Sequence, residues 1–350
     1  MRWDGQLIDA EPAEPGLFPH ESRVRTVQTP EFAGMTFYEV RARSVLNRVP
    51  ERSQVPFRWT VNPYRGCAHA CVYCFARSTH SYLELDTGHD FDTKVVVKVN
   101  AGDRLRRELM AVTWRGEHIA MGTNVDCYQR AEGRYRLMRG VLEALRDAAN
   151  PFSILTKGTL ILRDVDLIAS AAERADVSIA GSVGSVDLDL WRSVEPGTPA
   201  PGRRLAMLRA FADAGVSTSV LMAPILPGLS DGPDRIDGTV AALAAAGVRR
   251  VTPLVLHLRP GAREWYAAWL AREHPQLRGL YRRLYGRGSY APANYTQHVR
   301  DLVDAACHRH GITGDIDSDT ARPARGRWVR RSASRAPAAD EQLSLIPARP

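Results

Sequence analysis

Lysine is nearly missing from this chain of 350 residues: only Lys94, Lys98 and Lys157 occur, so arginine supplies the general positive charge. A lysine inside an apolar segment is therefore a position to notice. Cysteine is scarce as well, five in all. An odd count with three members bunched together does not suit a disulfide framework, and reduced thiols with a ligand role fit better. No apolar run approaches a membrane-spanning length. The opening MRWDGQLIDAEPAEP carries acids and prolines where a secretory signal would need a basic start and an apolar stretch. Together these lacks lead to the expectation of a cytoplasmic protein that does not span a membrane.

What is present suits a globular enzyme. With 44% hydrophobic residues the chain can bury a large core. The net charge of +8 is unevenly spread: from Ser318 onward there are seven arginines against Asp319, Asp340 and Glu341. Residues 1–34 lack periodicity and read as an irregular arm. From Met35 to Gly261 six apolar runs have the look of strands: FRWTVNPYRG, EHIAMGT, FSILTKG, DVSIAGSVG, VSTSVLMAPILPG and VRRVTPLVLHLRPG. DTKVVVKVN, residues 92–100, reads as an additional strand or as a run into the first helix. Stretches with helical spacing lie between, GRYRLMRGVLEALRDA among them. GRRLAMLRAFADAG and PDRIDGTVAALAAAG end in glycine where a helix C-cap belongs. Strand then helix, repeated about six times, predicts an α/β fold, a partial (β/α)6 TIM-type barrel whose working face lies where the strands end. Residues 262–317 read as an aromatic-rich helical extension, and residues 318–350 as a basic disordered tail.

The stretch NPYRGCAHACVYCFAR decides the chemistry. Its spacing is Cys67-x3-Cys71-x2-Cys74. A structural zinc site would need a fourth ligand, and the nearby His69 and His80 give no usual spacing. A redox pair would leave Cys67 unexplained. Three thiolates on a 4Fe-4S cluster leave one iron without a protein ligand, which makes the vacancy functional.

This loop, with Tyr73 just before the third cysteine, resembles the signature of the radical S-adenosylmethionine enzymes. Together with GTNVDCYQRAE and ILTKGTLILRD it is similar, from about Ser44 to Gly311, to the branch containing spore photoproduct lyase and DNA repair photolyase-like proteins. The resemblance implies a 4Fe-4S cluster on Cys67, Cys71 and Cys74. It implies that S-adenosylmethionine chelates the open iron and that its reductive cleavage gives a 5'-deoxyadenosyl radical, which takes hydrogen from a substrate. It further implies cofactor contacts by Tyr73, by Gly122, Thr123 and Asn124 at the end of the second strand, and by Lys157, Ser178, Ser182 and Arg204.

Each assignment has a plainer alternative. Asn124 or Asp126 would equally cap an ordinary turn. Lys157 could simply reach out to the barrel mouth, and Glu195 with Arg204 could form a structural ion pair. Cys127, in a loop beside the expected radical site, is a candidate catalytic hydrogen donor, the alternative being a buried thiol serving as a small apolar residue. Cys307 reads as core.

The tail segment RPARGRWVRRSASR suits nucleic-acid contact through Arg322, Arg325, Arg327, Arg330 and Arg331, with the indole of Trp328 to stack on a base. QLSLI resembles the pentapeptide by which replication and repair proteins dock on the DNA sliding clamp, through Gln342, Leu343, Leu345 and Ile346. An external electron donor is also required. The expected activity is radical chemistry on a nucleic acid, in DNA repair or modification. The alternatives are modification of a peptide or small metabolite, or a non-catalytic, metal-bearing DNA- or clamp-associated module.

Overall fold

The computed structural model describes residues 22–27, 30–51, 53 and 55–313. The arginines expected to meet nucleic acid and the QLSLI segment lie outside the described residues. The chain first forms β1 (Ser22–Val27), β2 (Met35–Val40), β3 (Leu46–Arg48), β4 (Trp59–Val61) and β5 (Tyr64–Arg65). After the cysteine loop come α1 (His89–Thr93) and β6 (Lys94–Lys98). A regular alternation follows: α2 (Ala101–Leu109), β7 (Ile119–Met121), α3 (Arg130–Tyr135), α4 (Leu137–Asp147), β8 (Phe152–Thr156), α5 (Val165–Ala172) and β9 (Val177–Ser182). It continues through α6 (Leu188–Val194), α7 (Pro201–Asp213), β10 (Ser217–Ile225), α8 (Pro233–Ala245) and β11 (Val251–Val255). Helices α9 (Ala262–Glu273), α10 (Arg278–Tyr285) and α11 (Ala293–Arg309) complete it.

Strands β4, β7, β8, β9, β10 and β11 pair in that order, all parallel, and β3 lies antiparallel on the outer side of β4. Each of the six apolar runs seen in the sequence supplies one parallel strand, and the result is the partial (β/α)6 barrel expected. Period-two alternation sends Phe152 and Ile154 of β8 into the main core, where they meet Met138, Val141 and Leu145 of α4. Leu155, the next residue after Ile154, faces the barrel interior. The two glycine-ended helices stop as expected, on Gly215 (φ 77°) and Gly247 (φ 80°).

The structure departs from the sequence reading in three places. A second sheet stands beside the barrel, ordered β1-β2-β6-β5. The stretch 92–100 thus contains a strand, Lys94–Lys98, but one belonging to this flanking sheet. The first apolar run splits, with Trp59–Val61 in the barrel and Tyr64–Arg65 in the flanking sheet. Part of the arm read as irregular is β1, antiparallel to β2 over six residue pairs; SRVRTV alternates too weakly to announce a strand by itself. The helix expected through residues 133–148 is broken at Arg136 (φ 51°). The cause is Glu132: its buried carboxylate accepts hydrogen bonds from the backbone of Leu137 (3.0 Å) and Met138 (3.1 Å), capping α4.

Residues 262–313 carry the helices α9, α10 and α11, which do two jobs. Helix α11 joins the barrel core through Val299, Val303, Ala306 and Cys307, so Cys307 is a core residue. Helices α9 and α10 pack Tyr266, Trp269, Leu270, Tyr281 and Tyr285 against Cys71, Val72 and Tyr73 of the cysteine loop. No helix among the described residues is long and apolar enough to cross a membrane.

Candidate active site

The C-terminal ends of the parallel strands and the cysteine loop enclose a cavity of about 160 Å³. Cys67, Cys71 and Cys74 all border it, as do Tyr73, Gly122, Thr123, Asn124, Lys157 and Ser182. The cysteine loop follows β5 and is held from three sides. The amide of Gln129, just after β7, brackets it by accepting from Ala68 N and donating to Gly66 O, both at 2.8 Å. Gly197 N donates to His69 O at 3.1 Å. Arg77, fully buried, donates to Cys71 O (3.0 Å), Gly88 O (2.8 Å) and both oxygens of Asp92 (2.8 and 3.0 Å). Its guanidinium also lies over Trp265 and Phe91. A buried arginine is tolerated because nearly every donor is used.

At the inner end, Asp126 is the organising group. It accepts from Thr156 Oγ1 and Lys157 N at 2.7 Å and from Tyr128 N at 2.8 Å, and faces His69 Nδ1 at 3.4 Å. It thus ties the ends of β7 and β8 to the cysteine loop, beyond the turn cap read from sequence. Lys157 extends its Nζ to Ser182 Oγ (2.7 Å), 5.8 Å from the centre of the Tyr73 ring. The Tyr73 hydroxyl donates to Glu195, which also pairs with Arg204. Burial pushes the Glu195 carboxyl up, but Arg204 and Lys157 outweigh it and hold the group below its ordinary value.

Gly122 ends β7 with φ 74°, and a Cβ there would meet Leu155 O at 1.8 Å. Only glycine lets the two strand ends close this tightly while leaving backbone facing the cavity.

Three sequence assignments fall elsewhere. Ser178 shares a face with Ser182 but sits four residues earlier on β9, about 13 Å along the strand. Its register partners are Ser153 and Ser217, at the opposite end of the barrel. Arg204 does not border the cavity; it is buried in the ion pair with Glu195, with further bonds to Pro199 O (2.8 Å) and Ser182 O (3.0 Å). The structural alternative describes it. Cys127 is 1% exposed and belongs to the main core, outside the cavity lining. Burial pushes its thiol well up. Its placement is that of an apolar core residue, because the chain turns inward after Asp126.

The outer half of the cavity was not read from the sequence. Phe75, Leu221, Ala223, Leu254, Leu256 and His257 make it apolar. The rings of Phe75 and His257 lie 5.6 Å apart, His257 and Tyr290 5.5 Å apart, and Arg259 sits over Phe75 while donating to the Tyr290 hydroxyl at 3.2 Å. A histidine at the end of the last apolar run, HLRPG, was the available signal.

The three thiols fit an iron–sulfur cluster. Among the described residues no three His, Cys, Asp or Glu side chains close on one point as a single-metal site requires. Cys67, Cys71 and Cys74 instead border a space. Burial pushes all three thiols up, Cys71 to about 12, with Asp126 adding at Cys67 and Glu195 at Cys71. Such groups are held as thiolates only when metal supplies the compensating charge. Three cysteines beside an open cavity at the mouth of a parallel half-barrel define a cluster-bearing enzyme of the partial-barrel class.

The particular family follows from comparison with known proteins. The model of the radical SAM superfamily matches residues 61–237, and the chain belongs to that family. Its cofactors are a 4Fe-4S cluster and S-adenosylmethionine. An uncharacterised protein of Mycobacterium tuberculosis and one of Mycobacterium bovis are each 48% identical over 320 residues, covering 90% of this chain and 94% of theirs. An uncharacterised protein of Methanocaldococcus jannaschii is 28% identical over 174 residues, 50% of this chain and 62% of its own. A solved spore photoproduct lyase variant superimposes with a TM-score of 0.58 at 16% identity, covering 78% of this chain and 79% of that one. Another such variant, solved with AdoMet and a dinucleoside spore photoproduct, gives 0.58 at 15% identity with 78% coverage of both. These structural likenesses concern the fold.

Proposed function

We propose that this radical SAM enzyme abstracts hydrogen from a nucleic acid, in DNA repair or modification. The observation that carries the reading is the outer rim: Phe75, His257 and Tyr290 form a row of rings with Arg259 across it, and Phe75 and His257 border the same cavity as the three thiols. Flat rings beside a fixed cation suit a nucleobase and its phosphate. Spore photoproduct lyase, whose fold this chain shares, has been solved in complex with a dinucleoside spore photoproduct. The arginines of the tail and the clamp-like QLSLI segment agree with action on DNA, and the cytoplasm is the compartment these partners require.

When bound, the cluster and S-adenosylmethionine supply a 5'-deoxyadenosyl radical at this site. Cys67, Cys71 and Cys74 would hold the cluster. The backbone of Gly122 and the polar groups of Thr123 and Asn124 would receive the amino group of the methionine moiety, and Lys157 would meet its carboxylate. Tyr73 is fixed by Glu195 so that its ring walls the cavity beneath Lys157. The apolar half, from Leu221 to Leu256, excludes water from the reacting centre. Cys127 has no part in this reading.

The test is isotope transfer. Anaerobic, cluster-loaded protein is given dithionite, S-adenosylmethionine and oligonucleotides with deuterated nucleosides, intact or ultraviolet-damaged. Deuterium in the recovered 5'-deoxyadenosine is expected. Its absence with every DNA and RNA tried, alongside normal 5'-deoxyadenosine formation, would reject a nucleic-acid substrate and leave the radical chemistry standing.

A further inference from the structure

A second cavity, about 300 Å³, lies between α9 and α10, away from the thiols. Its walls are the side chains of Tyr266, Leu270, Tyr281 and Tyr285, and Arg278 and Arg282 stand at its edge. The tyrosines are buried and mutually braced: the hydroxyls of Tyr266 and Tyr281 bond at 2.8 Å, and that of Tyr285 donates to Leu256 O at 2.7 Å. The slot is therefore a rigid apolar recess. Leu258, at its end, is two residues beyond Leu256, which borders the cavity of the thiols, with His257 of the ring row between them. The recess and the cavity of the thiols are thus bordered by one short stretch of chain, Leu256 to Leu258.

Its charge is one-sided. Residues 258–290 hold seven arginines against Glu264 and Glu273. Glu264 is used in capping α9 and Glu273 is paired with Arg272. Among the described residues, Arg278, Arg282, Arg283 and Arg287 have no carboxylate partner, and all are exposed. Arg263, bordering the recess, keeps a buried Nε with no acceptor. Arg278 and Arg282 are one helical turn apart, about 6 Å of rise, on one face of α10. An apolar slot rimmed by unpaired arginines at that spacing matches a planar base with consecutive phosphates, and cationic rims of this kind track a nucleic-acid backbone.

We propose that the α9–α10 recess seats a flanking nucleotide of a single-stranded nucleic acid, its base in the tyrosine-walled slot and its phosphates on Arg278 and Arg282. The neighbouring nucleotides are thereby led past Tyr290 and His257 to the cavity. This assignment rests on the reading of the substrate as nucleic acid.

The test uses the full-length, cluster-loaded protein and a fluorescent oligothymidylate of about ten nucleotides, with affinity measured across a salt series. The Arg278→Ala/Arg282→Ala variant should bind at least fivefold more weakly at low salt. Its slope of log affinity against log salt should be shallower by about 1.4, the loss of two phosphate contacts. Ala267→Trp, which fills the recess without altering charge, should weaken binding with the slope unchanged. Iron content and melting temperature report whether either variant is folded. Wild-type affinity and slope in both variants would overturn the recess and leave the substrate reading intact. No binding by the wild-type protein would overturn both. Unchanged oligonucleotide binding, with turnover lost under an acidic electron-donor protein but not under dithionite, would assign the face to that donor and overturn the proposal.

Discussion

The two halves of the barrel mouth are built on opposite principles. On the side of the cysteine loop, buried charges are cross-braced: Arg77 with Asp92, Arg204 and Tyr73 with Glu195, Arg163 and Tyr64 with Glu132. On the side of β11 and the C-terminal helices the wall is apolar and aromatic, and the arginines of α10 have no carboxylate partner among the described residues. Fixed charges with every partner in place hold one geometry, as a cluster and its cosubstrate require. Unpaired cations and exposed rings are ready for a ligand that arrives from outside. On the proposed function, the first side carries the common chemistry and the second selects the substrate.

Breaking the braced side should have the largest effects. Replacing any one of Cys67, Cys71 or Cys74 by alanine is expected to abolish 5'-deoxyadenosine formation, with bound iron measured by absorbance and metal analysis falling close to nothing. Retention of full iron in all three variants would dissolve the distinction between the halves. Next is Arg204→Met, which leaves the Glu195 carboxylate buried without its partner. Urea unfolding should show a loss of about 3–5 kcal/mol. Because Glu195 is held below its ordinary value, its contribution is present above the unfolded carboxylate pKa near 4.3 and is lost as pH falls through the lower folded value. Glu195→Gln should therefore remove a steep part of the acid unfolding curve.

Lys98 is the exception that sharpens the contrast. It lies on the braced side, in β6, 8% exposed, and burial pushes its pKa down to about 8, with Arg65 adding to the shift. The destabilisation is full below about pH 8 and fades as pH rises toward the unfolded lysine value of about 10.4. Lys98→Met should raise stability at pH 7 by up to about 3 kcal/mol, with the gain vanishing at high pH. A loss at pH 7 would mean that Lys98 has a stabilising role its surroundings do not reveal. The smallest effect belongs to Lys157→Ala, which removes one charge-assisted contact: the KM for S-adenosylmethionine should rise about tenfold with kcat changed less. An unchanged KM would return Lys157 to the plainer reading, a side chain braced on Ser182.

Much of the fold was legible because it is written in short-range patterns. Six apolar runs separated by amphipathic stretches specify a parallel half-barrel, and the spacing of Cys67, Cys71 and Cys74, with Tyr73, carries the resemblance that implies their role. The flanking sheet was harder to see, since β5 and β1 are short or weakly alternating and pair with strands distant in sequence. Ser178 and Ser182 look alike in DVSIAGSVG; which of them lies at the working end depends on strand direction and length. Cys127 and Asp126 are neighbours in one loop, yet one turns into the core and the other organises the site.

What the sequence by itself determined, then, was the chemistry: a cysteine loop whose ligands are fixed by covalent spacing, set ahead of a repeating strand–helix pattern. Only the tertiary structure decided which polar groups converge on it. Asp126, Glu132, Arg77 and His257 take their roles from partners distant in the chain, as Tyr64 is from Glu132 and Phe75 from His257, and such contacts arise from packing, which no local pattern encodes.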